Sequence, residues 1–356
     1  MKILFINPFG IGDVLFTTAL INNIKQSMPE CSISYWCNER VSEIFKSDPR
    51  IDKVFALSRG DLKKIFQYSI FQGFKRFFSL LRGIKKERFE VAFDFSLDHR
   101  YGIIIKLLGI KKRIGLNYKN RGRFLTDKIN IDGYNGKHVI EYYLDLLRFI
   151  SIKPQTKGME TFVSQESITK CRNMLNRFGI GDKDLVVGIA AGAGASWGKN
   201  ASLKHWPAIK YAQLADKIIE DFKAKIILLG DNTEKPISEA IMASMKNKTI
   251  DFTGKTNLPE LTAVINNLNL LITNDGGPLH IAVSRGIKTI SIFGPVDESV
   301  YGPYPPSEKH IVIKTDLACR PCYKKFKMGI CDKDKKCINS IETNEVLQAV
   351  KELCKV

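Results

Sequence analysis

The sequence has 356 residues, 44% of them apolar and 26% charged. This excludes a disordered chain and predicts about two globular domains. No run of about 18 uncharged apolar residues occurs, which excludes a membrane-spanning helix. The 55 Lys and Arg outnumber the 37 Asp and Glu, and a net charge of +18 predicts an anionic partner: nucleic acid, an acidic membrane or a phosphorylated substrate.

The N-terminal run Ile3–Ile6 reads as a first strand. Gly10, Gly12 and Asp13 interrupt it too early for a signal peptide, so a cytoplasmic location is expected, with the eight cysteines as thiols. Continuous apolar runs that suit a parallel sheet covered on both faces place strands at Lys2–Pro8, Ser32–Cys37, Lys53–Leu57, Glu90–Ser96 and Arg113–Asn117. A helix is predicted over Val14–Met28, stopped by Pro29. A longer one is predicted over Leu62–Lys86, where Phe66, Ile70, Phe74, Phe77, Leu81 and Ile84 recur at helical spacing among many Lys and Arg. It reads either as a helix packed on the sheet or as one lying on an anionic membrane surface. It belongs to a basic segment, Arg59–Lys128, with 18 basic and 6 acidic residues.

Pro154 and Gly158 mark a boundary within Ser151–Glu160. A second block follows, with strands predicted at Leu185–Ala191, Lys225–Gly230, Thr249–Phe252, Leu270–Thr273 and Thr289–Phe293. Helices alternate with them, for example over Ala208–Phe222, and a last helix spans Asn344–Leu353. Two rounds of strand–helix alternation predict an α/β protein with two doubly wound parallel sheets. Such sheets bind ligands beyond the carboxyl ends of their strands, and three loops there contain candidate residues.

The first is Asn7–Leu15, a Gly10-x-Gly12 turn with Asp13 at its exit. Leu15 stands where a dinucleotide fingerprint needs glycine, and a Walker Gly-Lys-Ser/Thr is absent. Asp13 therefore reads either as a helix cap or as a group facing a ligand. In the second, Asn274–His280, Gly276 and Gly277 expose amides at a helix start, a ready anion site. Asp275 is placed for sugar hydroxyls and His280 for the same anion. In the third, Gly192–Trp197 continues to Lys204-x-Trp206-Pro207, and Lys204 supplies a point charge for a phosphate.

These motifs resemble the family 9 glycosyltransferases, the ADP-heptose:lipopolysaccharide heptosyltransferases, over nearly the whole chain. The resemblance rests on Gly10-x-Gly12-Asp13-Val14-Leu15, Lys204-x-Trp206-Pro207, Asn274-Asp275-Gly276-Gly277-Pro278-x-His280 and Phe293-Gly294-Pro295-x-Asp297. It implies a GT-B fold, two Rossmann-like domains facing across a cleft. Residues 1–157 would form the acceptor-side domain and 158–340 the nucleotide-sugar domain, with a helix at 341–356 packing back on the N-terminal domain.

It also implies Asp13 as general base and Lys204, Asp275, Gly276, Gly277 and His280 on the donor. Glu234 would meet the ribose, Ser196 is the best match for a phosphate-binding hydroxyl, and Gly10, Gly12 and Arg100 lie on the acceptor side. The stretch Gly198–Leu203 is extra to the pattern. The implied reaction is metal-independent and needs no cofactor. It moves a sugar, heptose by resemblance, from a nucleotide sugar to an anionic glycolipid or glycan at the cytoplasmic face of the inner membrane; the membrane-surface reading of Leu62–Lys86 would add peripheral contact to anionic lipid.

Cys319, Cys322, Cys331 and Cys337 have a spacing compatible with a structural zinc, and equally with reduced thiols. Asp182-x-Asp184 and Asp332-x-Asp334 read as solvated charge. Two other readings stand beside the transferase: a GT-B-like enzyme such as a sugar-nucleotide epimerase, and a catalytically silent carbohydrate-binding protein of the same fold. Nucleic-acid binding finds no helix-turn-helix, RRM or finger signature.

Overall fold

The structure, a computed structural model, describes residues 1–354 apart from the side chains of Ala195 and Ser196. It divides into two units, Met1–Phe162 and Val163–Val356. The chain stays in the first unit slightly past the predicted boundary because Glu160 is held there. Its N–H donates to Thr18 Oγ1 at 3.0 Å, and its carboxylate accepts from Arg50 at 2.8 Å.

The first unit runs β1 (Lys2–Asn7), α1 (Ile11–Phe16), α2 (Thr18–Ser27), β2 (Ser32–Cys37), β3 (Lys53–Ala56), α3 (Arg59–Tyr68), α4 (Ile70–Glu87), β4 (Val91–Asp94), α5 (His99–Leu107), β5 (Lys112–Tyr118), β6 (Asp127–Ile131) and α6 (Val139–Leu144). All six strands are parallel, in the order β3-β2-β1-β4-β5-β6. The run Ile3–Ile6 is fully buried at the centre, as expected of a strand covered on both faces. Strand order reverses between β1 and β4, which makes that edge the switch point of the sheet.

Two predicted helices are broken. The first begins at Ile11 and is interrupted at Thr17, whose hydroxyl bonds Val14 O at 2.6 Å and pairs with the Tyr35 hydroxyl at 2.8 Å. The second stops at Ser69, in extended conformation, and restarts with the Ser69 side chain accepting from Gln72 N. Gly73 permits the reversal, since a Cβ there would lie 2.4 Å from the Phe66 ring.

The second unit runs α7 (Gln165–Arg177), β7 (Val186–Ala190), α8 (Ala208–Phe222), β8 (Lys225–Leu228), α9 (Lys235–Ser244), β9 (Ile250–Asp251), α10 (Leu258–Asn266), β10 (Leu270–Asn274), α11 (Gly277–Ser284), β11 (Lys288–Phe293), α12 (Glu298–Tyr301), β12 (His310–Lys314), the hairpin β13 (Tyr323–Lys324) and β14 (Lys327–Met328), α13 (Lys336–Asn339) and α14 (Thr343–Leu353). Its six-stranded sheet has the order β12-β11-β10-β7-β8-β9. Counted from its own first strand, this is the same winding as in the first unit, with the switch point between β7 and β10.

Helix α14 contributes to the core of the second unit. Val346, Leu347 and Val350 share a cluster with Tyr211, Leu214 and Ile218 of α8. Burying each such aliphatic side chain stabilises by about 1.5–3 kcal/mol. The approach to α14 is tied down by Trp206 Nε1, which donates to Ile341 O at 3.0 Å. Among the described residues, no helix is long and apolar enough to cross a membrane.

Candidate functional site

At the switch point of the second sheet, the loops after β7 and β10 converge. Asn274, the last residue of β10, fastens them. Its Nδ2 donates to Ala191 O at 2.5 Å, and its Oδ1 accepts from the Tyr211 hydroxyl at 3.0 Å and from Trp206 N at 3.4 Å. The loop after β7 continues as 3-10 turns over Ala195–Lys204, kinked at Gly198 (φ 51°). The extra stretch Gly198–Leu203 is therefore a folded turn that delivers Lys204 inward. Ser196 lies on this turn, but its side chain is outside the described residues.

Lys204 is held differently from a solvated lysine. The sequence suggested a phosphate-facing point charge. The structure buries it, 2% exposed, with Nζ 2.6 Å from Asp275 Oδ2, itself 8% exposed. The ammonium also lies 3.9 Å from the centroid of the Trp197 ring, a favourable cation–π position. Trp197 in turn packs edge-on to Tyr323 of the small hairpin, which meets Tyr301. Asp275 and Lys204 thus form one buried ion pair under an aromatic cover.

Beside the pair, Gly276 is the N-cap of α11 and Gly277 its first residue. Amides in the first turn of a helix have no partner within the helix, so this end favours an anion. His280 is buried one turn on. Burial, reinforced by the nearby Lys204 charge, pushes its pKa down to about 3. The imidazole is therefore neutral at neutral pH in this state and is available as a hydrogen-bonding group.

Glu234 ends a short turn after β8. Its Oε1 accepts from Gly194 N and its Oε2 from Asp231 N, each at 2.9 Å. Burial raises its pKa above the ordinary carboxylate value, and these amide bonds oppose the rise. The carboxylate lies so close to the chain that a Cβ on Gly192 would come within 1.7 Å of Oε1. Glu234 thus clamps the loop after β7 as well as standing at the edge of the site.

In the first unit, Asp13 lies in the first turn of α1, at the switch point beside β1. Its Oδ2 accepts from Gly10 N at 3.3 Å, so it does cap the helix. Gly10 has an extended backbone (φ −79°), a conformation open to any residue, and Gly12 is helical; neither serves as a flexible hinge. The loop is fixed by residues the sequence reading passed over. Asn7 Nδ2 donates to Asp13 O at 2.9 Å, and Asn38 Nδ2 donates to Pro8 O and Phe9 O. The charge of Asp13 also helps raise the pKa of the buried phenols Tyr35 and Tyr143, for which burial is the main cause.

Across the same switch point, Asp94 ends β4. It is fully buried, accepts from Ser96 N at 2.9 Å, and has its pKa pushed up to about 6 by burial. Arg100 follows at the start of α5, its guanidinium engaged by Asp98 through Nε at 2.9 and 3.0 Å.

The cysteine cluster surrounds the β13–β14 hairpin. Cys322 Sγ donates to Cys319 O, and Cys331 Sγ accepts from Lys335 N. Among the described residues, no three His, Cys, Asp or Glu side chains are arranged to hold a metal ion.

Residues 77–329 match the family model described as Glycosyltransferase family 9 (heptosyltransferase). A lipopolysaccharide heptosyltransferase 1 from Campylobacter coli is 26% identical, covering 99% of this chain and 99% of that protein. Among solved structures, a family 9 glycosyl transferase from Veillonella parvula superposes with a TM-score of 0.84 at 22% identity, covering 100% of this chain and 98% of that one. The E. coli heptosyltransferase WaaC with ADP superposes with a TM-score of 0.74 at 14% identity, covering 99% and 100%.

Proposed function

The chain belongs to glycosyltransferase family 9, and from that premise we propose that it transfers heptose from ADP-heptose to the inner core of a lipopolysaccharide or a related anionic glycan. It acts in the cytoplasm, at the inner face of the inner membrane. Membership places the activity among glycosyl transfers rather than epimerisations. The observation that carries the donor assignment is the buried pair Lys204–Asp275 at the switch point, set against the N-terminus of α11. A cation, a carboxylate and open amides are what a sugar diphosphate needs. Support for the donor comes from the ADP in the WaaC structure, and for the acceptor from the C. coli relative's name.

In the transfer, an acceptor hydroxyl attacks the anomeric carbon as the bond to the diphosphate breaks. Negative charge grows on the departing phosphate oxygen. Lys204 turns part of its interaction from Asp275 to that phosphate, the amides of Gly276 and Gly277 add their dipoles, and Ser196 is assigned as a further hydroxyl donor to it. This compensation comes from protein groups, so the reaction runs without a metal or other cofactor. Neutral His280 acts as a hydrogen-bonding group. Asp275 and Glu234 serve sugar and ribose hydroxyls with the oxygen lone pairs their present partners leave open. Asp13 takes the acceptor proton, a role worth about 10²–10⁴-fold, with Gly10, Gly12 and Arg100 lining the acceptor side.

Asp13→Asn tests the base. Turnover is expected to fall at least ~10²-fold, while calorimetric ADP affinity stays within a few-fold of wild type. A folded variant with near-normal turnover refutes that role, and a wild-type protein that binds UDP or GDP as tightly as ADP refutes the donor.

A further inference from the structure

Helices α3 and α4 carry an aromatic face that the fold leaves uncovered. On α4 the face toward the sheet is complete without it: Leu80 and Ile84 are buried in a cluster with Phe55, Phe89 and Trp36. The remaining apolar residues point elsewhere. Phe71 is 77% exposed, Phe78 61% and Phe74 50%, and Ile70 and Tyr68 beside them are more than half exposed. Phe71, Phe74 and Phe78 stand at i, i+3 and i+7, one stripe of the helix, and the rings of Phe74 and Phe78 stack at 6.3 Å.

The charges around the stripe have one sign. Lys75, Arg82 and Lys86 recur at i, i+7 and i+11 along the adjoining face, with Lys85 on the same turn as Arg82. All four are exposed, and no described carboxylate lies within ion-pair distance of them. The two acidic residues of the hairpin are occupied elsewhere. Asp61 caps α3, and Glu87 is held by Lys53 at 2.8 Å and Lys2 at 3.5 Å.

We infer that the α3–α4 hairpin docks this protein on an anionic bilayer, with Phe71, Phe74 and Phe78 entering the headgroup–acyl boundary and Lys75, Arg82, Lys85 and Lys86 on the lipid phosphates. Exposed aromatics with a flanking basic row are the interfacial combination. The uniform positive charge selects a negatively charged lipid surface over a second copy of this basic chain, which it would repel. The inference rests on the proposed membrane-side acceptor only for its purpose; the surface itself is independent of the donor site.

The test is sedimentation with vesicles of phosphatidylcholine alone and of phosphatidylcholine mixed with phosphatidylglycerol. The wild-type chain is expected to bind only the mixed vesicles and to come off as salt rises. Lys75→Gln/Arg82→Gln/Lys85→Gln/Lys86→Gln should lower partitioning by ~100-fold or more. Phe71→Ser/Phe74→Ser/Phe78→Ser should lower it even at low salt, which adsorption by charge alone does not predict. Both variants should keep the wild-type circular dichroism and ADP affinity, so a failed donor site is distinguished from a failed surface. Binding to neither vesicle, equal binding to both, or wild-type partitioning of the serine variant overturns the inference. So does a concentration-dependent dimer that the serine substitutions abolish.

Discussion

Replacing Asp275 by Asn would leave the Lys204 ammonium buried with no counter-charge. The two side chains are 2% and 8% exposed and 2.6 Å apart, so water cannot take the place of the carboxylate. Removing one partner of a buried pair costs about 3–5 kcal/mol, a large fraction of the roughly 5–15 kcal/mol that holds a domain together. Lysine can escape by losing its proton. From an unfolded value near 10.4, deprotonation at pH 7 costs about 4.6 kcal/mol, which sets the ceiling.

The sign of the pH dependence follows. In the variant the folded state binds one proton fewer than the unfolded state, so its stability rises with pH, by up to about 1.4 kcal/mol per unit until pH approaches 10.4. Urea denaturation followed by fluorescence reads this, since Trp197 and Trp206 lie in the second unit and Trp36 alone in the first. Asp275→Asn should be destabilised by about 3–5 kcal/mol near pH 7 and about half as much near pH 9. Lys204→Met/Asp275→Asn should recover most of the loss, yet bind ADP no better than Lys204→Met. A loss below about 1 kcal/mol that does not change with pH, or a double variant showing the sum of the two single losses, would refute the buried pair.

Gly192→Ala should cost about 1–3 kcal/mol and weaken ADP binding at least ~10-fold, because the added methyl occupies the place of Glu234 Oε1. Combining it with Glu234→Ala should restore stability but not affinity; a wild-type melting temperature and ADP affinity in the single variant would contradict the clamp. Asp94→Asn should stabilise the first unit. Its carboxyl titrates near 6 when folded and near 3.9 when unfolded, so the wild type loses stability as pH rises through that window. The variant's advantage should reach about 2–3 kcal/mol above pH 6 and vanish below pH 4; denaturation curves showing an advantage independent of pH would exclude this account.

The ten strands marked in the sequence all occur, because buried parallel strands are written as unbroken apolar runs. The two it missed in the six-stranded sheets, Asp127–Ile131 and His310–Lys314, are sheet edges, and the two-residue hairpin strands Tyr323–Lys324 and Lys327–Met328 are too short to leave a pattern. Asp127–Ile131 has no fully buried residue, and Ile313 is the only one in His310–Lys314, so neither has such a run. The helix break at Ser69 was hidden because the apolar period continues through it, while the turn is set by a capping hydroxyl and by Phe66 on Gly73. At the loops after β7 and β10, the motifs located the residues but not their partners. That Lys204 meets Asp275, and that Asn274 ties Ala191 to Tyr211, are contacts between segments some 60 to 80 positions apart, which no local spacing encodes. Asn38 under Pro8 and Phe9 is the same case in the first unit.

The matching strand orders have a consequence for how the protein is made. Each sheet is closed by strands drawn from one continuous segment, residues 2–131 for the first and 186–314 for the second. On the ribosome, where domains generally fold as units and the N-terminal one leads, every strand of the first sheet has emerged before the first strand of the second is synthesised. The central β7–β10 pairing of the second sheet must then wait for more than 80 further residues. The first sheet can thus be complete before the second begins, and in the second β8 can cover one edge of β7 early while the other edge of its apolar Val186–Ala190 stays open until β10 follows.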